Sequence, residues 1–234
     1  MIRALIETSL VDWDGKITTV LFFDKCNFMC PFCQNWELIV HPEKFPVITW
    51  EDIEKKLEKK KKWVDGVVLT GGEPLMFKKE VFDIARKIKQ RNFSVKIDTN
   101  GAYPDVIREL LDAHLVDYVA LDIKASIDER YYKAAGKQID LENIKESIHI
   151  LMKGRVEYEF RTTVVPGIID EDAIKKIGES IQGASLWVLQ TYVPKNAYRK
   201  HYRGKLDKNY SEQLHQFSSI AKHYAAKVKV RGKV

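Results

Sequence analysis

All three cysteines of this 234-residue chain fall within eight residues, Cys26-Asn27-Phe28-Met29-Cys30-Pro31-Phe32-Cys33, in the spacing C-x3-C-x2-C. A thiolate is a nucleophile, a redox centre or a soft metal ligand. Three on one stretch, with no other thiol in the chain to pair with, point to metal. Buried structural cysteines would sit oddly beside polar Asn27 and Gln34. Zinc would need a fourth ligand; His41 is near enough in sequence to complete Cys3His, although zinc sites more often use cysteine pairs in separate knuckles. An iron–sulfur cluster needs thiolates around a compact cube, and a single loop can supply three of them. One iron would then lack a protein ligand and stand open to a substrate.

The elements around this loop say where it sits. Residues 17–23, 66–70, 94–99, 117–123, 156–165 and 185–190 are rich in β-branched and aromatic residues and read as strands. Helical patterns cover about 50–62, 79–91, 104–113, 141–153, 170–181 and 209–226. Thr49 with Asp52 gives the first of these a capping signature, and Pro104 opens the third. Residues 131–136 read as irregular, and 227–230 as a short edge strand. Such alternation predicts βα units around a parallel sheet. The polar breaks fall at the C-terminal ends of the strands: the cysteine loop, Gly71–Pro74, Asp98–Gly101, Asp122–Lys124, Arg161 and Gln190–Tyr192. In a βα barrel that rim collects the reactive groups. Six strands are too few for closure, so the expected fold is α/β, a partial (β/α)6 TIM-like barrel with an open side, with residues 1–234 as a single core domain.

Composition narrows the classes. At 45% hydrophobic residues the chain can bury a sizeable core. No apolar run reaches the roughly 20 residues of a membrane-spanning helix, so no membrane partner is expected. The N-terminus lacks the marks of a signal peptide, and clustered unpaired cysteines suit the reducing cytoplasm. The net charge is +6. Much of the basic content lies at Lys55–Lys62, interleaved with Glu51, Glu54 and Glu58, the pattern of a solvated helix face. Nucleic acid is not the expected partner, because no recognition pattern accompanies the charge.

Cys26-x3-Cys30-x2-Cys33, with aromatic Phe32 before the last cysteine, resembles the signature of the radical S-adenosylmethionine (SAM) enzymes. Gly71-Gly72-Glu73-Pro74 resembles the GGEP element of that superfamily. The resemblance implies a 4Fe-4S cluster held by Cys26, Cys30 and Cys33, with SAM chelating the open iron and cleaved by one electron to methionine and a 5′-deoxyadenosyl radical. Gly71, Gly72 and Glu73 would then meet the SAM ammonium. Phe32 and the main chain at Gln34 would lie near adenine. Asp98, Thr99, Asp122, Ile123 and Lys124 would line the sulfonium and ribose, and Arg161 would hold a carboxylate.

Across nearly the whole chain the pattern is similar to activating enzymes of glycyl-radical proteins. Residues 5–12 and Cys33-Gln34-Asn35-Trp36-Glu37-Leu38 resemble anaerobic ribonucleoside-triphosphate reductase activating proteins. Asp98-Thr99-Asn100-Gly101, Leu121-Asp122-Ile123-Lys124 and Arg161–Gly167 match motifs shared with pyruvate formate-lyase activating enzymes. In that family the aspartate pair, here Asp98 and Asp122, is linked with a monovalent cation beside the SAM carboxylate. Tyr192 stands about where pyruvate formate-lyase activators carry a histidine, and the chain has no cysteine for an auxiliary cluster. The implied partners are a glycyl-radical protein, preferably anaerobic ribonucleotide reductase, and a one-electron donor such as flavodoxin or ferredoxin. The basic segment Lys195–Lys205 is expected to contact the glycyl-radical partner. The alternatives are a radical SAM enzyme acting on another glycyl-radical enzyme, a peptide or a small molecule, and, in a different class, a zinc-stabilised nucleic-acid-binding module.

Overall fold

The structure, a computed structural model, describes residues 1–232. Eight strands form one sheet whose spatial order follows the chain. Strand β1 (Ile2–Ser9) pairs antiparallel with β2 (Thr18–Phe23). From β2 on, every neighbour is parallel: β3 (Gly66–Gly71), β4 (Ser94–Thr99), β5 (Tyr118–Asp122), β6 (Glu157–Val164), β7 (Trp187–Thr191) and β8 (Val228–Arg231). Among the described residues no ladder joins β1 to β8, so the barrel stays partial and open on one side. The six expected strands are β2 to β7. The anticipated edge strand extends the parallel set, and β1 adds a strand not foreseen.

Each parallel step needs a crossover. The helices α2 (Trp50–Lys60), α3 (Lys78–Lys89), α4 (Pro104–Asp112), α6 (Leu141–Met152), α7 (Glu171–Ser180) and α8 (Tyr210–Ala221) supply one each; short α1 (Trp36–Val40) and α5 (Glu129–Ala135) precede the second helix of their connections. The caps are those the residues favour. Thr49 accepts the N–H of Asp52, and Asp170 accepts that of Ala173. Gly136 ends α5 in the left-handed region at φ 75°. No helix of the described residues is long and apolar enough to cross a membrane.

The two faces of the sheet differ in chemistry. Val67, Leu69, Val95, Ile97, Val119 and Leu121 belong to the large apolar core with the helices. On the alternate register positions, a small plug of Trp13, Val20 and Val68, with Phe22 and Tyr118, fills one part of the lumen. Lys96 is only 1% exposed. Its ammonium donates to the Asp12 carbonyl and lies 3.4 Å from Asp98 and 3.7 Å from Glu159. Arg231 on β8 grips Glu159 with two bonds of 2.9 and 2.8 Å. A buried charge is tolerable only when paired in this way. Asp14, on the turn between β1 and β2, pairs with Lys229 and Arg231 at 2.5 and 3.3 Å, so side chains tie the turn to β8 where no ladder does.

Candidate functional site

The C-terminal ends of the strands surround a cavity of about 610 Å3. Cys26, Cys30 and Cys33 line it, with Phe32, Gln34, Gly71, Gly72, Asp98, Thr99, Asp122, Lys124, Arg161 and Tyr192. Thirteen of the fifteen residues singled out by sequence thus line one cavity. The other two do not reach it. Ile123 is fully buried among apolar residues, and Glu73 is turned away behind the rim.

The cysteine loop follows β2 and is pinned mainly by main-chain bonds. Cys33 N–H donates to the Cys30 carbonyl at 3.0 Å, and Phe28 N–H to the Cys26 sulfur at 3.3 Å. Met29 N–H donates to Ala135, the last residue of α5, at 2.8 Å. A Cβ on Gly136 would overlap the Met29 carbonyl, so only glycine lets the end of α5 meet the loop. The tyrosine of that helix, Tyr131, is buried edge-on to Phe28, with its hydroxyl 3.4 Å from both the Asp122 carbonyl and the Lys124 N–H. What reads as an irregular stretch is therefore a helix joining the cysteines to the far side of the rim.

The glycine turn is built as tightly. Gly72 and Glu73 donate N–H bonds to Phe23 and Lys25, at 2.8 and 2.9 Å. A Cβ on Gly72 would overlap the Lys25 carbonyl. Asn35 donates to the Gly71 carbonyl at 3.0 Å. The Glu73 carboxylate, expected to meet a ligand's ammonium, instead accepts from Leu75 N–H, the Thr99 hydroxyl and Asn100 N–H at 3.1, 2.8 and 2.7 Å. It is a strut between the turn and β4. Complete burial pushes its carboxyl up to about 7 against those three donors. Asn100 extends the strut, donating to Asn27 beside Cys26 at 2.7 Å.

The opposite side of the rim is ionic. Arg161 donates to Asp122 at 2.7 Å and to Asp98 at 3.0 Å, and Lys124 donates to Asp122 at 2.9 Å. Burial alone would raise Asp122, but Arg161 and Lys124 outweigh it and hold the carboxyl well below the usual range. Burial likewise opposes the charge of Lys124, and Asp122 overrides it and raises the ammonium. Three of the four oxygens of the aspartate pair are bound by cationic side chains. The fourth, on Asp98, is buried without a hydrogen bond and faces Lys96. This donor set does not fit a monovalent cation, because the Arg161 guanidinium already bridges the two aspartates.

At the thiols burial outweighs the nearby Lys124 ammonium and the main-chain N–H groups of Phe28 and Asn35. Burial pushes Cys26 and Cys30 up to about 12 and raises Cys33. His41 does not join them: it stands outside the cavity, 3.4 Å from Glu43. Among the described residues no three His, Cys, Asp or Glu side chains are grouped around a point that one ion would occupy. A cube asks for something else, since each cysteine then reaches a different iron. Tyr192 borders the cavity, but its hydroxyl is committed to the Tyr202 carbonyl at 2.5 Å. Asn35, Asn100, Thr163 and Arg231 also line the cavity. Asn100 sits within a noted motif; for Arg231 no local signal exists, because its place depends on the register of the last strand.

A model of the Radical SAM superfamily matches residues 20–177. A “Putative glycyl-radical enzyme activating enzyme” of Methanocaldococcus jannaschii is 34% identical over 99% of this chain and 95% of its own length. The pyruvate formate-lyase-activating enzyme of Clostridium pasteurianum is 30% identical over 77% of this chain and 76% of its own. Among solved structures, Streptococcus suis SuiB superposes with a TM-score of 0.67 at 14% identity, over 91% of this chain and 49% of that one. TYW1 with a lysine-pyruvate adduct gives 0.62 at 16% identity, over 89% and 74%. At such identities these two structures bear on the fold alone.

Proposed function

This chain belongs to the radical SAM superfamily, and from that premise we propose that it activates a glycyl-radical enzyme, with anaerobic ribonucleoside-triphosphate reductase as the preferred partner. The observation that carries the reading is convergence. Three thiols from one loop, the Gly71–Gly72 turn and the Asp98–Arg161–Asp122–Lys124 group face a single cavity, on a chain similar over almost its whole length to a protein named as an activating enzyme. The family implies a 4Fe-4S cluster and SAM, and the donor set suits both.

Cys26, Cys30 and Cys33 would hold the cluster, and the chain has no fourth cysteine, so one iron is left to an outside ligand. Their raised pKa values mean that the empty chain keeps its thiols protonated at neutral pH; loading releases three protons. Gly71 and Gly72 bring main chain, unshielded by side chains, to the wall where an ammonium would lie. Lys124 and Arg161 offer positive charge to a carboxylate, and Asp98, Thr99 and Asp122 offer acceptors to ribose and sulfonium. Phe32, the Gln34 main chain and Tyr192 give the remaining wall against adenine. When bound, the cluster and SAM would together supply the chemistry of hydrogen-atom abstraction, directed in this reading at the Cα of one glycine of the partner. The role of the protein is then to position and to exclude water. The side left open between β1 and β8 is where a polypeptide loop of the partner would enter. We further take residues 1–234 to act as one radical SAM core domain in the cytoplasm, drawing electrons from flavodoxin or ferredoxin.

The test is anaerobic reconstitution with iron, sulfide and SAM. We expect 5′-deoxyadenosine and methionine, and a glycyl radical by electron paramagnetic resonance when the reductase is added. A pyruvate formate-lyase belongs in a parallel arm, since a named activator of that enzyme is 30% identical. Zinc without iron in the anaerobically purified chain would sink the proposal.

A further inference from the structure

The connection from β7 to α8 lies on the cysteine loop. Gln34 donates to the Val193 carbonyl at 2.7 Å, and Asn196 donates back to the Gln34 carbonyl at 3.0 Å. Arg199 N–H donates to the Pro31 carbonyl at 2.8 Å, so Cys33 lies between two of the anchors. The Tyr198 ring packs 5.6 Å from Trp36, just beyond the loop, and the Arg203 guanidinium lies over the same indole at 5.7 Å. Segment and loop thus form one continuous surface.

That surface is strongly positive and unanswered. Between Val193 and Leu206 the chain has Lys195, Arg199, Lys200, Arg203 and Lys205 and no acid. All five are exposed, and among the described residues none has a carboxylate within ion-pair distance. None of them lines the cavity. The other basic run is partly answered and interleaved with acids: Lys56 and Lys60 on α2 pair with Glu7, and Lys61, just past the helix, with Glu58. Charge left unpaired on a surface adds little stability but steers an oppositely charged partner and orients its docking.

We propose that residues 195–205, seated over the cysteine loop, are the docking surface for an acidic one-electron carrier protein. The inference rests on the reading of Cys26, Cys30 and Cys33 as cluster ligands. Electron transfer requires the donor centre to come close to its acceptor, and this segment covers the outer side of the loop. The step moves one electron: the carrier is oxidised by one, the centre at the cysteines is reduced by one, and no bond or proton is transferred. Because none of the five side chains lines the cavity, a carrier docked there would leave the substrate opening free.

The probe is reduced flavodoxin at low ionic strength. The triple reversal Lys195→Glu, Arg199→Glu, Lys200→Glu should weaken flavodoxin binding, read by calorimetry, about tenfold or more. It should slow flavodoxin-driven bleaching of the cluster absorbance by a similar factor. SAM cleavage driven by dithionite, a small-molecule reductant, should not change. The double variant Lys195→Glu, Lys205→Glu, whose side chains make no hydrogen bonds or ion pairs here, should show the same loss in smaller degree, and Lys55→Glu, Lys59→Glu on α2 none. Unchanged flavodoxin binding in both segment variants overturns the proposal, as does a loss confined to binding of the glycyl-radical protein. Absence of dithionite-driven cleavage in the unaltered chain is a different failure, that of the cluster reading.

Discussion

The two sides of the rim are held by different physics. On the cysteine side, the loop and the Gly71–Pro74 turn are locked by main-chain bonds and by glycines with no room for a Cβ. On the other side, Asp98, Asp122, Lys124 and Arg161 are locked by opposite charges at 2.7 to 3.0 Å. The first is intolerant of volume, the second of an uncompensated charge. The difference fits what each would hold. A cluster needs three sulfurs at fixed positions with no competing groups between them. A zwitterionic ligand needs charges whose protonation does not drift. Tyr131 and Asn100 join the two sides, so neither moves alone.

The largest expected effect is at the sulfur side. Cys30→Ala should abolish 5′-deoxyadenosine formation and lower bound iron, measured on the same reconstituted sample; turnover persisting in this variant would refute the cluster assignment. Next comes the ionic side. Arg161→Met leaves buried Asp98 and half-buried Asp122 without their shared cation, and removing one partner of a buried pair costs about 3–5 kcal/mol. Urea unfolding should show that loss, and calorimetry a marked weakening of SAM binding. Sodium or potassium should not alter SAM binding in the unaltered chain relative to choline, since Arg161 already bridges the aspartates. Gly72→Ala follows: relieving its overlap with Lys25 means moving the turn off the loop, at a cost of about 1–3 kcal/mol. Its SAM affinity should fall while iron content stays near normal, because the cysteines themselves are untouched.

The cysteine side was the more legible in sequence, and for a physical reason. Its cysteines are close in the chain, and glycine is chosen by backbone geometry, which a short motif records. The alternation of strands and helices was as plain, because strands buried on both faces read as apolar runs. What stayed hidden depends on distant partners. Strand β1 is an edge strand whose residues Ile6, Glu7 and Thr8 are exposed, so its pattern is weak. Helix α5 has only seven residues. Asp128 and Gly136 cap it, but the reason for that helix, contact with Met29, lies in a distant partner. The aim of Glu73 away from the ligand wall depends on Thr99 and Asn100, on the next strand. The guanidinium bridge likewise needs β4, β5 and β6 in register.

The smallest effect separates the two sides by pH. Glu73 is raised to about 7, whereas an unfolded glutamate titrates near 4.3. Between those values the folded chain keeps a proton that the unfolded chain has released. Stability from this group is therefore complete below about 4.3, falls as pH rises to about 7 by on the order of 3–4 kcal/mol in all, and is flat above. Asp122 has the opposite sign. Its lowered pKa contributes stability that is complete above the unfolded value of about 3.9 and is lost only as the pH drops further. In the window from pH 5 to 7.5, then, the ionic side is silent and the cysteine side is not. Urea midpoints of the cluster-free chain should decline across that window. Those of Glu73→Gln, which cannot titrate, should decline less, on top of a constant loss from one mismatched hydrogen bond. Parallel curves would show that Glu73 keeps its ordinary pKa, and that its three donors, not its burial, decide its charge.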